Sequence, residues 1–240
     1  MSINSKIEWT EATWNPVTGC TKISEGCKHC YAATMAHRLH AMHNPRYFNE
    51  FKVTVHEDLI RKPMEWKKPQ RIFVNSMSDL FHDEVPDDII LKVFDTMNRC
   101  SQHQFQVLTK RPERLVALDE RLKWTSNIWM GVTVEGNDYL YRADLLRETG
   151  AKIKFISAEP LLEDISSIDL TEIDWLIVGG ESGHGSRPME KEWVLSLQSI
   201  ANESGTAFFF KQWGGVNKKK TGKLLDGKIV QQYPIITDAK

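Results

Sequence analysis

The sequence has no long apolar run; none approaches the roughly 18 residues of a membrane span, so no membrane association is expected. Residues Met1 to Lys6 lack a signal peptide's apolar segment, which points to the cytoplasm. Charge of one sign is missing too. With 31 Lys and Arg against 32 Asp and Glu, the net charge of −1 excludes a protein that coats nucleic acid through bulk electrostatics and leaves only local patches for such contacts. No linker-like stretch, low-complexity tract or repeat interrupts residues 1–211. One domain is therefore expected, within the roughly 200 to 250 residues that α/β barrels use without splitting. The glycine-rich segment 179–185 lacks both the Gly-x-Gly-x-x-Gly spacing and the P-loop lysine of nucleotide-phosphate loops. Cysteine is scarce, at four residues, yet three of them fall between positions 20 and 30.

That segment, Gly19 to Tyr31, is what the rest of the chain is arranged behind. Free cysteine normally enters a core singly, as a small hydrophobe, whereas three on one polar, glycine-flanked loop can converge their thiolates. In a reducing compartment such a triplet means metal more often than disulfides. Three thiolates, from Cys20, Cys27 and Cys30, satisfy three irons of a cubane 4Fe-4S cluster and leave the fourth open to a small molecule. Zinc is the alternative: the next helix carries His37, His40 and His43, any of which could complete a Cys3His site, although a polar helix face is the plainer reading of them. Cys100 ends a helix far from the triplet and reads as structural.

Periodicity gives the frame. A first strand is expected within residues 7–18, and a helix from Tyr31 to about Met42, stopped by Asn44-Pro45. Short apolar strands then read at 71–75, 104–109, 128–133, 153–157, 175–179 and 206–211. Helices near 86–99, 112–122, 138–149 and 190–204 separate them. Alternating strands and helices imply a parallel sheet with right-handed crossovers. The expected fold is α/β, a partial (β/α) barrel of about six to seven parallel strands over residues 1–213. A basic tail, 214–240, follows with a short hairpin at Asp226-Gly227.

In parallel barrels the active site lies at the carboxyl ends of the strands, and these ends are polar here. They carry Asn75, Ser76, Ser78 and Asp79; Lys110 and Arg111; Thr133 and Glu135; Glu159; Glu181; and Lys211. The cations Lys110, Arg111 and Lys211 either pair with the nearby acids Glu159 and Glu181 or bind a substrate phosphate.

The loop ending Cys27-Lys28-His29-Cys30 resembles that of the radical S-adenosylmethionine enzymes, although six residues separate Cys20 from Cys27 where their usual pattern is Cys-x3-Cys-x2-Cys. More narrowly, ATWNPVTGC at 12–20, VNSMSDLFH at 74–82, QVLTKRPER at 106–114 and VGGESG at 178–183 resemble a phage-borne three-cysteine-motif family with no assigned reaction. The resemblance implies a 4Fe-4S cluster on the three cysteines, S-adenosyl-L-methionine as cofactor and a 5'-deoxyadenosyl radical that abstracts hydrogen from a substrate. It also implies roles at the end of the fourth strand. Thr133-Val134-Glu135-Gly136 and Arg142 look like the family's hydroxyl, acid, glycine and arginine, with Glu135 accepting ribose hydroxyls and Arg142 pairing with the cofactor's carboxylate. The amine would fall to Ser76, Ser78 and Asp79. Gly179-Gly180-Glu181 has the letters of the family's amine motif after a different strand, so it reads as a substrate- or adenine-facing loop. A nucleic-acid base or nucleotide is the expected substrate, a protein partner is left open, and the contrasting reading is a zinc-stabilised nucleic-acid-associated protein without radical chemistry.

Overall fold

A computed structural model describes residues 2–3, 5 and 7–235. The end of the expected tail, 236–240, and the side chains of Lys218 and Lys219 lie outside the described residues. The fold class is the expected one, an α/β curled half-barrel sheet with seven parallel strands. The chain divides into two compact units.

The first unit comprises residues 1–23, 30–130 and 149–152. Its strands are β1 (Ser2–Ile3), β2 (Ala12–Trp14), β3 (Val17–Thr18), β4 (Thr54–Val55), β5 (Arg71–Val74), β6 (Gln104–Thr109) and the start of β7 (Ile128–Thr133). β2 pairs parallel with β5 and β5 with β6, β1 caps the edge antiparallel to β2, and β3 and β4 form a separate ribbon. The helices are α1 (Tyr31–Ala41), α2 (Glu57–Ile60), α3 (Asp87–Arg99) and α4 (Pro112–Leu118). α3 shows why the sequence folds this way. Ile89, Ile90, Val93, Phe94 and Met97 fall on one stripe and are all buried, Asp87 and Asp88 open the first turn, and Arg99 closes the last, so both ends complement the helix dipole. Pro86 sits immediately before the helix, where its missing N–H costs nothing.

The second unit comprises residues 24–29, 131–148 and 153–240. It holds the end of β7, α5 (Tyr141–Arg147), β8 (Ile153–Ala158), β9 (Trp175–Gly179), α6 (Lys191–Ser204), β10 (Ala207–Gln212) and α7 (Lys218–Thr221). β8, β9 and β10 pair in parallel and read IKFISA, WLIVG and AFFFKQ, near-continuous apolar runs of the kind that sheets covered on both faces require. The hairpin at Asp226-Gly227 forms, with Leu225 and Lys228 exchanging backbone hydrogen bonds and both central residues at positive φ. Beyond it the chain lines the outer side of β10. Phe210 N donates to Val230 O at 2.7 Å, Gln232 N to Phe208 O at 2.9 Å, and the Trp175 indole to Gln232 O at 2.9 Å. The Tyr233 ring lies 5.2 Å from that of Trp175. The last strand is thereby covered rather than left as an open edge. Through the whole sheet the order is β1-β2-β5-β6-β7-β8-β9-β10. Among the described residues no helix is long and apolar enough to cross a membrane.

Candidate active site

The first unit places Cys20 on a loop tied to the segment after β5 and to the segment before β4. Gly19 N donates to Met77 O at 3.0 Å and Cys20 N to Phe51 O at 3.1 Å. Gly19 is held at φ +88°, with the Lys52 carbonyl oxygen 2.1 Å from where a Cβ would stand, so only glycine fits. A cavity of about 690 Å³ opens beside Cys20, with Phe48, Phe51, Lys52 and Glu84 on its walls.

Arg111 is the centre of the polar network here. Only 7% exposed, it sends Nη1 to Cys20 Sγ at 3.6 Å and to Asp79 Oδ2 at 3.3 Å, and Nη2 to Thr21 Oγ1 at 3.0 Å and Thr21 O at 3.3 Å. Burial works against its charge, but the Asp79 carboxylate and the Cys20 thiolate outweigh that and raise its pKa further. Asp79 also accepts from Thr109 Oγ1 at 2.7 Å, Lys110 N at 3.0 Å and Phe81 N at 3.0 Å. Its charge is therefore met largely from within the fold. His82 accepts or donates at 2.8 Å with Thr21 Oγ1, and burial, then the Arg111 charge, pushes its pKa down. Ser76 Oγ donates to Asn15 Oδ1 at 3.1 Å and Ser78 Oγ to Val17 O at 2.8 Å, which leaves both hydroxyl oxygens their acceptor lone pairs.

The second unit brings Thr133, Glu135 and Arg142 together. Arg142, 1% exposed, donates Nη1 to Glu135 Oε2 at 2.7 Å and to Thr133 O at 2.8 Å. Its guanidinium carbon lies 4.2 Å over the Tyr139 ring. Glu135, fully buried, accepts on its other oxygen from Ser24 Oγ, which lies 3.5 Å from Cys27 Sγ. Lys211 Nζ meets Glu159 Oε1 at 2.7 Å, and Ser157 Oγ meets Glu159 Oε2 at 3.1 Å. Glu181 is held on both oxygens by Arg187, Nη2 to Oε1 at 2.6 Å and Nε to Oε2 at 2.9 Å. Burial alone would raise the Glu181 pKa, yet the Arg187 bonds and charge bring it below the usual carboxylate range. Arg187, Tyr139 and Ser24 escaped the sequence reading; the only signal was an arginine six residues after Glu181 in a glycine-rich loop.

None of the four cysteines is in a disulfide, and the triplet is partly exposed while Cys100 is buried. Cysteine thiolates are the ligand type of an iron-sulfur cluster, and a buried guanidinium on Cys20 is the kind of contact that offsets thiolate charge. Among the described residues no three His, Cys, Asp or Glu side chains are grouped to hold one metal ion. His37 and His40 point to Glu50, at 3.4 and 3.8 Å, and His40 also reaches Tyr47 O.

Comparison with known proteins matches a family model described as a protein of unknown function, DUF5131, over residues 4–234. No curated protein matches the sequence. Among solved structures the fold is similar to spore photoproduct lyase complexed with dinucleoside spore photoproduct, at a TM-score of 0.52 and 13% identity, covering 83% of this chain and 63% of the lyase. A variant of that lyase with bound AdoMet and dinucleoside spore photoproduct matches at a TM-score of 0.51, 13% identity and the same coverages. At this identity the likeness is one of fold, and the chain spans 63% of the lyase's length.

Proposed function

The chain belongs to the DUF5131 family, and from its fold and its cysteine segment we propose that it is a radical S-adenosylmethionine enzyme acting on a nucleotide or nucleic-acid base. Cys20, Cys27 and Cys30 would hold a 4Fe-4S cluster. The observation that carries the reading is the conjunction of a three-cysteine segment with a half-barrel similar to that of an enzyme whose structure contains AdoMet. Bound together, the cluster and S-adenosylmethionine would supply the radical chemistry, a hydrogen abstraction from the substrate.

The chain's own residues bind and orient. Arg111 meets the charge at Cys20. Ser76 and Ser78, whose hydroxyl protons are already directed to Asn15 and Val17, offer oxygens to the cofactor's ammonium beside Asp79. On the substrate side the cavity next to Cys20 has an aromatic wall for a base, in Phe48 and Phe51, and an ammonium for a phosphate, in Lys52. Lys110, Arg111, Glu159 and Lys211 remain the strand-end candidates for the substrate, with Arg111 paired to Asp79 and Lys211 to Glu159, while Glu181 is held by Arg187.

Anaerobic reconstitution is expected to give about four irons and four sulfides per chain and a brown protein. Added S-adenosylmethionine with a reductant is expected to yield 5'-deoxyadenosine. A colourless protein with stoichiometric zinc would overturn the reading. For the substrate, titrations with single-stranded and duplex DNA and RNA at two salt concentrations are expected to show affinity falling with salt. Lys110→Ala and Lys211→Ala should reduce both affinity and salt slope. Equal slopes in wild type and both variants would remove these lysines and leave the cavity beside Cys20 as the place to look.

A further inference from the structure

Two strand-end carboxylates that the radical-enzyme pattern would turn toward a ligand are here turned toward the chain itself. Residues 25–27 form a single 3-10 turn, closed by Cys27 N to Ser24 O at 3.0 Å and Lys28 N to Glu25 O at 3.1 Å. A turn this short has little stability of its own. It is held from outside at each residue before Cys27. Ser24 donates to Glu135, Glu25 N donates to the Tyr139 hydroxyl at 3.2 Å, and Glu25 O accepts from Arg187 Nη2 at 2.9 Å. Gly26 lies so close to Glu135 that a Cβ would come within 2.5 Å of its Cγ.

The holders are themselves fixed. Arg142 pins Glu135, and its guanidinium stacks on the ring of Tyr139, so the two contacts to Ser24 and Glu25 share one support. Glu181 grips Arg187 through both carboxylate oxygens and accepts in addition from the Arg187 backbone N–H at 2.9 Å. We infer that Glu135, through Ser24, and Glu181, through Arg187, are positioning residues for the turn that carries Cys27. Glu135 stands two residues after β7 and Glu181 two residues after β9, so the turn is held from the ends of two strands. Resting on the cluster reading above, this gives them to cluster assembly rather than to the ribose or the adenine.

The test uses Ser24→Ala, Arg187→Ala and Arg187→Lys in the full chain and reads the turn in two ways. In the metal-free protein, alkylation of each cysteine is followed by mass spectrometry. The Cys27 thiol in Ser24→Ala and Arg187→Ala is expected to react about tenfold faster than in wild type, as loss of one hydrogen bond to a charged group allows, with Cys100 unchanged. Arg187→Lys keeps a cation against Glu181 without the fork and is expected to restore the slow rate in part. In the reconstituted protein, both alanine variants are expected to lose iron to a chelator roughly tenfold faster and to show an altered spectrum of the reduced cluster, with the S-adenosylmethionine affinity per loaded cluster unchanged. Wild-type rates for Cys27 in both alanine variants would overturn this inference. So would normal iron retention with weakened cofactor affinity. A wild-type chain that takes up no iron would overturn the cluster reading instead, and the alkylation rates still decide whether these residues hold the turn.

Discussion

Alanine in place of Cys20, Cys27 or Cys30 is expected to abolish the cluster, whereas Cys100→Ala is expected to keep the full iron and sulfide content after the same anaerobic reconstitution. A cubane corner without a thiolate leaves its iron open to solvent, and a cluster already missing one protein ligand does not survive the loss of a second. Cys100 is different in kind. It is 1% exposed at the end of α3, and burial pushes its thiol pKa up, so it stays protonated and behaves as a small apolar side chain. Its replacement should cost stability by about 1 kcal/mol and nothing in metal content. Iron and sulfide per chain, measured for the four variants side by side, decide the matter. Full loading in any of the three triplet variants would show that the cysteine concerned is not a ligand.

The fold was legible because the information lies in local periodicity. The runs at 104–109, 128–133 and 175–179 match strands residue for residue, since 128–133 and 175–179 are short, nearly unbroken apolar stretches and 104–109 is a short run with apolar residues at Phe105, Val107 and Leu108. α3 is equally plain, with a single apolar stripe over its whole length. The edge of the sheet was not. Residues 230–233 carry a lysine- and glutamine-rich neighbourhood that reads as tail, and only the exposed edge of β10, a feature of the tertiary structure, explains why they line it.

The site was legible in its letters and not in its partners. Thr133, Glu135 and Arg142, which the resemblance singled out, lie together, because nine residues from the end of a strand into the next helix return a side chain to the strand's end. What the spacing cannot say is which way the arginine faces. Glu181 illustrates the same limit. In Gly179-Gly180-Glu181 the glycines do serve close approach, with the Trp213 carbonyl oxygen 2.1 Å from where a Cβ on Gly180 would stand, but the acid is taken by Arg187, which no motif announces. Hydrogen-bond partners depend on distances between segments far apart in sequence, and charges at strand ends find each other before they find a ligand.

Arg142→Ala is expected to destabilise the metal-free protein by about 3 to 5 kcal/mol, because it leaves the Glu135 carboxylate buried without its cation. The two side chains are 2% and 0% exposed, and the arginine also satisfies the Thr133 carbonyl, so water cannot replace what it supplies without opening the end of β7. Removing the charge at both ends should cost less than removing one. The double variant Arg142→Met with Glu135→Gln is therefore expected to be more stable than Arg142→Ala alone, since a neutral amide is cheaper to bury than an unpaired carboxylate. The measurement is urea unfolding of the two variants and wild type, compared at equal dependence on denaturant. The resemblance to radical enzymes gives a contrasting expectation: an arginine that serves the cofactor's carboxylate would leave stability nearly unchanged and weaken S-adenosylmethionine binding by roughly 2 to 3 kcal/mol. An unfolding midpoint close to wild type in Arg142→Ala, together with such a loss of affinity, would return the arginine to the cofactor. A large loss of stability, relieved in the double variant, would place it in the scaffold that holds Glu135.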